Sequence, residues 1–87
     1  MPKVSIITPN YNSTKFIQAT HDSIIAQTFT DWEWLIVDDR SIDNSFNTIS
    51  RFSELDPRIK VFQNPKNLGA SASRNKGLEE ATGEYIA

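Results

Sequence analysis

The run Trp34-Leu35-Ile36-Val37-Asp38-Asp39 constrains the fold most, because an unbroken apolar stretch ends abruptly in two adjacent carboxylates. A strand that is apolar at successive positions is buried on both faces, the condition of an inner strand in a helix-covered parallel sheet. The polar turn Arg40-Ser41-Ile42-Asp43 follows at once. Such a strand delivers its acidic side chains to the rim where open α/β sheets bind ligands.

The rest of the chain alternates strand-like, helix-like and turn-like segments with a period of about 25 to 30 residues, the length of a βα unit. Strand one is expected over residues 4–8, with Pro9 ending its ladder for want of an N–H. Helix one follows over 15–27, capped by Ser13 or Thr14, with Phe16, Ile17, Ile24 and Ile25 on its buried stripe. Strand two covers 33–38 and helix two 45–54, the latter presenting Phe46, Ile49 and Phe52 to the sheet. Strand three spans 59–63 and leads into the turn Asn64-Pro65-Lys66-Asn67. Helix three covers 70–81, with Gly83 at its C-terminal cap, and a fourth strand starts at Tyr85. Crossovers of this length are right-handed and make the strands parallel.

Composition narrows the function. At 87 residues the chain forms one small domain of marginal stability, and its net charge of −2 argues against a broad nucleic-acid or anionic-membrane surface. It has no cysteine, so disulfides and thiolate metal sites are excluded. Met1-Pro2-Lys3 runs straight into a strand, so no signal peptide is expected, and no apolar run approaches the roughly 20 residues that span a bilayer. A cytoplasmic location follows as the expectation, with a longer parent peripheral at the inner face of the membrane.

Three further segments carry a resemblance. Val4-Ser5-Ile6-Ile7-Thr8-Pro9-Asn10-Tyr11-Asn12 opens the chain, and Ser23-Ile24-Ile25-Ala26-Gln27-Thr28-Phe29-Thr30-Asp31-Trp32-Glu33 leads into the acidic strand. Asn67-Leu68-Gly69-Ala70-Ser71-Ala72-Ser73-Arg74-Asn75-Lys76-Gly77 comes later. With the acidic strand, and in this order, they closely resemble the nucleotide-binding half of a family 2 glycosyltransferase with the GT-A fold. The resemblance implies a partial, Rossmann-like α/β domain over residues 1–87, with strand order 3-2-1 and the fourth strand beside the first. It also implies a parent that transfers a sugar from a nucleotide donor, a UDP-sugar, to a hydroxyl of an acceptor glycan or lipid-linked glycan, with inversion, in polysaccharide synthesis. A phrase like Gly83-Glu84-Tyr85-Ile86 leads, in such enzymes, to the D-x-D carboxylates that hold Mn²⁺ or Mg²⁺. Neither those ligands nor a catalytic base is expected among these residues, so this chain alone is expected to be inactive.

The same resemblance assigns nucleotide-binding roles. Asp39 is expected to accept the uracil ring N–H, because an ionised carboxylate is an acceptor only, while Asp38 supports the loop. Tyr11 is expected against the nucleoside, with Thr8 or Pro9 giving backbone contacts. Arg74 supplies a bidentate donor for phosphate, or else pairs with Asp38 or Asp39, and Asn75 lies beside it at a helix start built of small residues, where diphosphate is favoured. Arg40 stands where the family usually has glycine, and a left-handed backbone there costs arginine energy that glycine escapes.

Other polar and aromatic residues have plainer readings. Asp43 reads as a cap for helix two, Trp32 and Trp34 as core residues on one face of their strand, and His21 as a single mid-helix residue without other metal ligands near it. The alternative function is a non-enzymatic, receiver-like regulatory domain, but its acids would end strands one and three, where Ile7-Thr8-Pro9 and Phe62-Gln63-Asn64 stand. A nicotinamide-binding domain would need G-x-G-x-x-G after strand one. With a fourth strand this short, the edge of strand one is expected to lie exposed and to drive self-association.

Overall fold

The structure, a computed structural model, describes residues 2–87. Along them run β1 (Val4–Asn10), α1 (Ile17–Ala26), β2 (Trp32–Asp38), α2 (Ser45–Leu55), β3 (Ile59–Gln63), α3 (Ala70–Glu80) and β4 (Tyr85–Ile86). The strands form one parallel sheet in the order β3-β2-β1-β4, the expected topology with the fourth strand beside the first. β2 is an inner strand and all of it is buried, which accounts for its apolar run.

Period-two alternation sorts the sheet residues between two layers. Trp32, Trp34 and Ile36 face α1 and α2, where they pack with Ile17, Ile49, Phe52 and Ile59. Both tryptophans are therefore core residues, and the Arg58 guanidinium lies 3.9 Å from the centre of the Trp32 ring. Leu35 and Val37 face the other way, toward α3, which presses close because Gly77 has no side chain. A Cβ there would sit 2.5 Å from Ile7 Cγ2.

Helix α1 buries a different stripe from the one expected. Phe16 precedes the helix and is 67% exposed, and Ile25 is 43% exposed. The stripe runs through Ile17, His21 and Ile24, the i, i+4, i+7 face, with the His21 ring stacked 4.1 Å from that of Phe52. No side chain caps α1. The Ser13 carbonyl accepts the Phe16 and Ile17 amides, whereas Thr14 Oγ1 donates to Asp43.

Pro9 ends pairing on one side only. The bonds Tyr85 N to Lys3 O, Ala87 N to Ser5 O and Ile7 N to Ala87 O show that odd-numbered residues of β1 face β4. Pro9 is the next odd position, so its missing N–H falls on the β4 side, and pairing with β2 continues to Asn10. The short fourth strand also covers more of β1 than expected, bonding it as far as Ile7. Gly83 is not a helix cap: α3 ends at Glu80, and the Gly83 amide donates to Ser5 Oγ at 2.8 Å.

The end of the sheet away from the polar strand ends is held by Glu33, a buried acid that its position at the start of an apolar run did not single out. Its carboxylate accepts Ser5 Oγ at 2.5 Å, Lys60 Nζ at 2.7 Å and Thr82 N at 2.6 Å, tying β1, β3 and the α3–β4 turn to β2. Burial pushes the carboxyl up, but the bonds from Lys60, Ser5 and Thr82 outweigh it and hold the group down at about 2. At the opposite end, the β2–α2 turn closes when Ser41 N and Oγ donate back to Asp38, and this puts Arg40 at φ 60.

Two stability outcomes follow. Because the folded value of Glu33 lies below the ordinary 4.5, its contribution is fully present above pH 4.5 and is lost as pH falls toward about 2. Glu33→Gln should lower stability at pH 7 by about 2 kcal/mol and flatten this part of the acid limb in urea titrations run at several pH values. Arg40→Gly should raise stability by up to about 1 kcal/mol in the same assay, since glycine occupies the left-handed region without steric cost.

Candidate functional site

Asp38 and Asp39 are neighbours on one strand end, so alternation sends them to opposite faces of the sheet. This divides their roles. Asp38 has no exposed surface and its oxygens are filled: Oδ1 accepts Asn10 Nδ2 at 2.9 Å and Ser41 Oγ at 2.6 Å, while Oδ2 accepts Ser41 N at 3.0 Å and Gln63 Nε2 at 3.1 Å. Four donors occupy the roughly four acceptor positions of a carboxylate. Asp38 therefore ties β1, β3 and the β2–α2 turn together and has no acceptor position left for a ligand.

Asp39 is filled less completely. Oδ1 accepts Asn64 Nδ2 at 2.9 Å and Leu68 N at 2.7 Å, but Oδ2 accepts only Gly69 N, at 2.8 Å. One acceptor position on Oδ2 remains. The Leu68 amide holds the carboxyl below the ordinary carboxylate range, with burial opposing it and the Asn64 and Gly69 bonds adding to the lowering. At neutral pH the group is thus an anion and accepts only.

Asp39 lines a pocket of about 440 Å³ at this rim, together with Pro9, Asn10, Tyr11, Asn67, Gly69, Ala70 and Ser73. Its walls come from three βα junctions. Pro9 and Asn10 end β1, and Tyr11, directly after the strand and half exposed, offers a ring face. Asn67 donates to the Asp39 carbonyl at 3.2 Å. Gly69 starts α3 at φ 97, a conformation only glycine adopts readily, with open space where a Cβ would be. The first intrahelical bond runs from Ser73 N to Gly69 O, so the preceding amides of α3 have no intrahelical partner and carry the positive end of the helix dipole.

A second brace joins two of the loops. Asn12, at φ 49, accepts the Ile42 amide on Oδ1 at 2.9 Å and donates its own amide to Ser41 Oγ at 2.9 Å. It does not cap α1. Asp43 accepts the Ser45 amide at the start of α2 and also Thr14 Oγ1, so it joins α2 to the segment before α1. The Ser45 hydroxyl bond, against the opposing effect of burial and with help from the Ser45 amide and Thr14, holds the Asp43 carboxyl down at about 2.

Of the expected nucleotide-binding residues, the structure brings Pro9, Tyr11 and Asp39 together at the pocket. Thr8 lies one residue below it, and its Oγ1 accepts Trp34 Nε1 at 2.9 Å. Arg74 and Asn75 are exposed on α3, Arg74 one turn beyond the pocket residue Ala70. Among the described residues Arg74 has no ion pair, so the expected alternative of a bond to Asp38 or Asp39 is not found. Asn10, Asn64 and Asn67 were missed. The signal for Asn10 was a polar residue directly after Pro9 and level with Asp38, whereas Asn64 comes one position after Gln63, the β3 residue level with Asp38. Among the described residues no three His, Cys, Asp or Glu side chains converge, and Asp38 and Asp39 diverge, so these residues do not form a cation site built of protein ligands alone.

Comparison with known proteins matches this arrangement. The glycosyl transferase family 2 model matches residues 5–87. The UDP-Glc:alpha-D-GlcNAc-diphosphoundecaprenol beta-1,3-glucosyltransferase WfgD of Escherichia coli is 43% identical over 97% of this chain and 32% of its own length. Residues 1–349 of S. aureus TarS, solved with UDP-GlcNAc, superpose with a TM-score of 0.89 at 33% identity, over 97% of this chain and 25% of that one. The mannosyltransferase PcManGT of Pyrobaculum calidifontis, solved with GDP-Man and Mn²⁺, gives a TM-score of 0.88 at 28% identity, over 98% of this chain and 26% of that one. The chain spans about a third of the length of the curated relatives it matches. With the acidic strand end, the glycine-started helix and the parallel order β3-β2-β1-β4 all in place, the chain belongs to glycosyl transferase family 2.

Proposed function

We propose that residues 1–87 form the nucleotide-sugar-binding half of an inverting glycosyltransferase domain whose donor is a UDP-sugar. The observation that carries this reading is the single open acceptor position on Asp39 Oδ2 in an otherwise filled carboxylate lining the rim pocket. Uracil presents a ring N–H between two carbonyls, so an anion with one vacant acceptor position suits it, while cytosine places a lone pair there. Tyr11 stacks on the base, and Pro9 and Thr8 contribute main-chain contacts. The diphosphate lies toward the small-residue start of α3, where unpaired amides and the helix dipole favour anions, with Arg74 and Asn75 on the same helix. The pocket volume falls within the range of about 300–1,000 Å³ usual for small-molecule sites.

The UDP-GlcNAc bound by TarS supports uridine, and the GDP-Man bound by PcManGT shows that the fold also serves a purine nucleotide. In the whole protein, the ligands for Mn²⁺ or Mg²⁺ and the base that activates the acceptor hydroxyl come from outside these residues. An acceptor glycan, lipid-linked as the name of WfgD states for that enzyme, completes the reaction. The receiver-like alternative has no support, since both acids end β2 and the sheet order and family are those of a glycosyltransferase. No described helix is long and apolar enough to cross a membrane.

Calorimetry tests the assignment. Asp39→Ala should weaken UDP binding by about 1.5 to 3 kcal/mol, the value of a hydrogen bond to a charged group, whereas Asp43→Ala should leave it nearly intact. Unchanged UDP affinity in Asp39→Ala would remove the assignment of the base site. UDP affinity of this chain should also be the same with Mn²⁺, with Mg²⁺ and with EDTA, and a metal-dependent gain would place cation ligands among these residues.

A further inference from the structure

We infer that Asn64 is a positioning residue that sets base selectivity by deciding how many acceptor positions Asp39 shows to the pocket. This rests on the reading of Asp39 as the group that meets the base. Asn64 follows β3 directly and is 6% exposed. Its backbone amide donates to the Asp38 carbonyl at 2.8 Å, which fixes it against the end of β2. Both protons of its side-chain amide are used, one on Asp39 Oδ1 at 2.9 Å and one on Ser73 Oγ at 2.9 Å. Ser73 is wholly buried and lines the pocket, and its hydroxyl donates in turn to the Gly69 carbonyl at 3.1 Å. The Asn64 amide is therefore gripped from two sides, by β2 and by the first turn of α3.

The consequence lies in the Asp39 carboxylate. The Leu68 and Gly69 amides hold one position on each oxygen, and Asn64 fills the second position on Oδ1. What remains is one acceptor position, on Oδ2, suited to one ring N–H. Removing the Asn64 donor opens a second position on Oδ1 and frees the carboxylate plane to turn. An exocyclic amine, such as that of cytosine, then finds an acceptor displaced from the one that serves a ring N–H. Asn64 thus excludes the amine-bearing base without touching it, a case of selectivity built against the wrong ligand.

The experiment measures UDP and CDP affinities of the 87-residue chain by calorimetry, with the unfolding midpoint of each variant recorded. The variants are Asn64→Leu, Ser73→Ala, which leaves the Asn64 amide with one anchor instead of two, and Asp39→Ala as reference. In Asn64→Leu the UDP-over-CDP preference should fall about tenfold, the equivalent of one charge-assisted hydrogen bond. Ser73→Ala should shift it in the same direction by a smaller factor, and it decides the matter if Asn64→Leu fails to fold. A purely structural role would instead lower the midpoint and weaken both nucleotides alike. A preference kept within twofold in the folded Asn64 or Ser73 variants, while Asp39→Ala abolishes it, would overturn the positioning role and leave the base site standing. Absence of any UDP-over-CDP preference in the unaltered chain would overturn both.

Discussion

The rim of this sheet depends on Asp38, whose buried carboxylate takes hydrogen bonds from β1, β3 and the turn that follows β2. A carboxyl group without solvent exposure is costly unless its polar atoms are met, and here four donors meet them. The arrangement has two results. It fixes the ends of three strands relative to one another, and it forces the tight turn that puts Arg40 in a left-handed conformation. Asp39 can then stand at a set height on the other face, where the start of α3 closes on it.

A comparable device works at the far end of the sheet. Glu33 joins β2 to β1, β3 and the α3–β4 turn, so both ends of the inner strand carry a buried acid satisfied by its neighbours. For a chain of this size the apolar core is small, and polar ties of this kind add register where packing alone leaves freedom. Replacing either acid leaves several buried donors without acceptors, which costs more than the bonds themselves contribute.

The placement of the site follows from the same geometry. All the strands run parallel, so the β1, β2 and β3 ends open on one rim, and the three loops there carry the pocket. The chain belongs to glycosyl transferase family 2, and TarS, to which it is similar, was solved with UDP-GlcNAc, which supports the proposal of a nucleotide-sugar site at that rim. The acidity of the chain is no obstacle, because the anion-favouring element is the local start of a helix rather than a surface of cations.

The sequence by itself determined the βα alternation, the inner position of β2 and the rim on which the acids lie, because strand burial and helix periodicity are local properties of side-chain order. β3 and the start of α3 were legible to the residue for the same reason. Only the tertiary structure decided what depends on long-range partners. His21 took the stripe position expected of Ile25 because Phe52 lay opposite it, and Pro9 could extend β1 because its missing donor faced β4. The division of labour between Asp38 and Asp39 was likewise decided there. Adjacent identical residues differ only in which face they meet: Ser41 supplies two of the Asp38 donors locally, but the other two, and all those that meet Asp39, come from residues about 25 to 30 positions away.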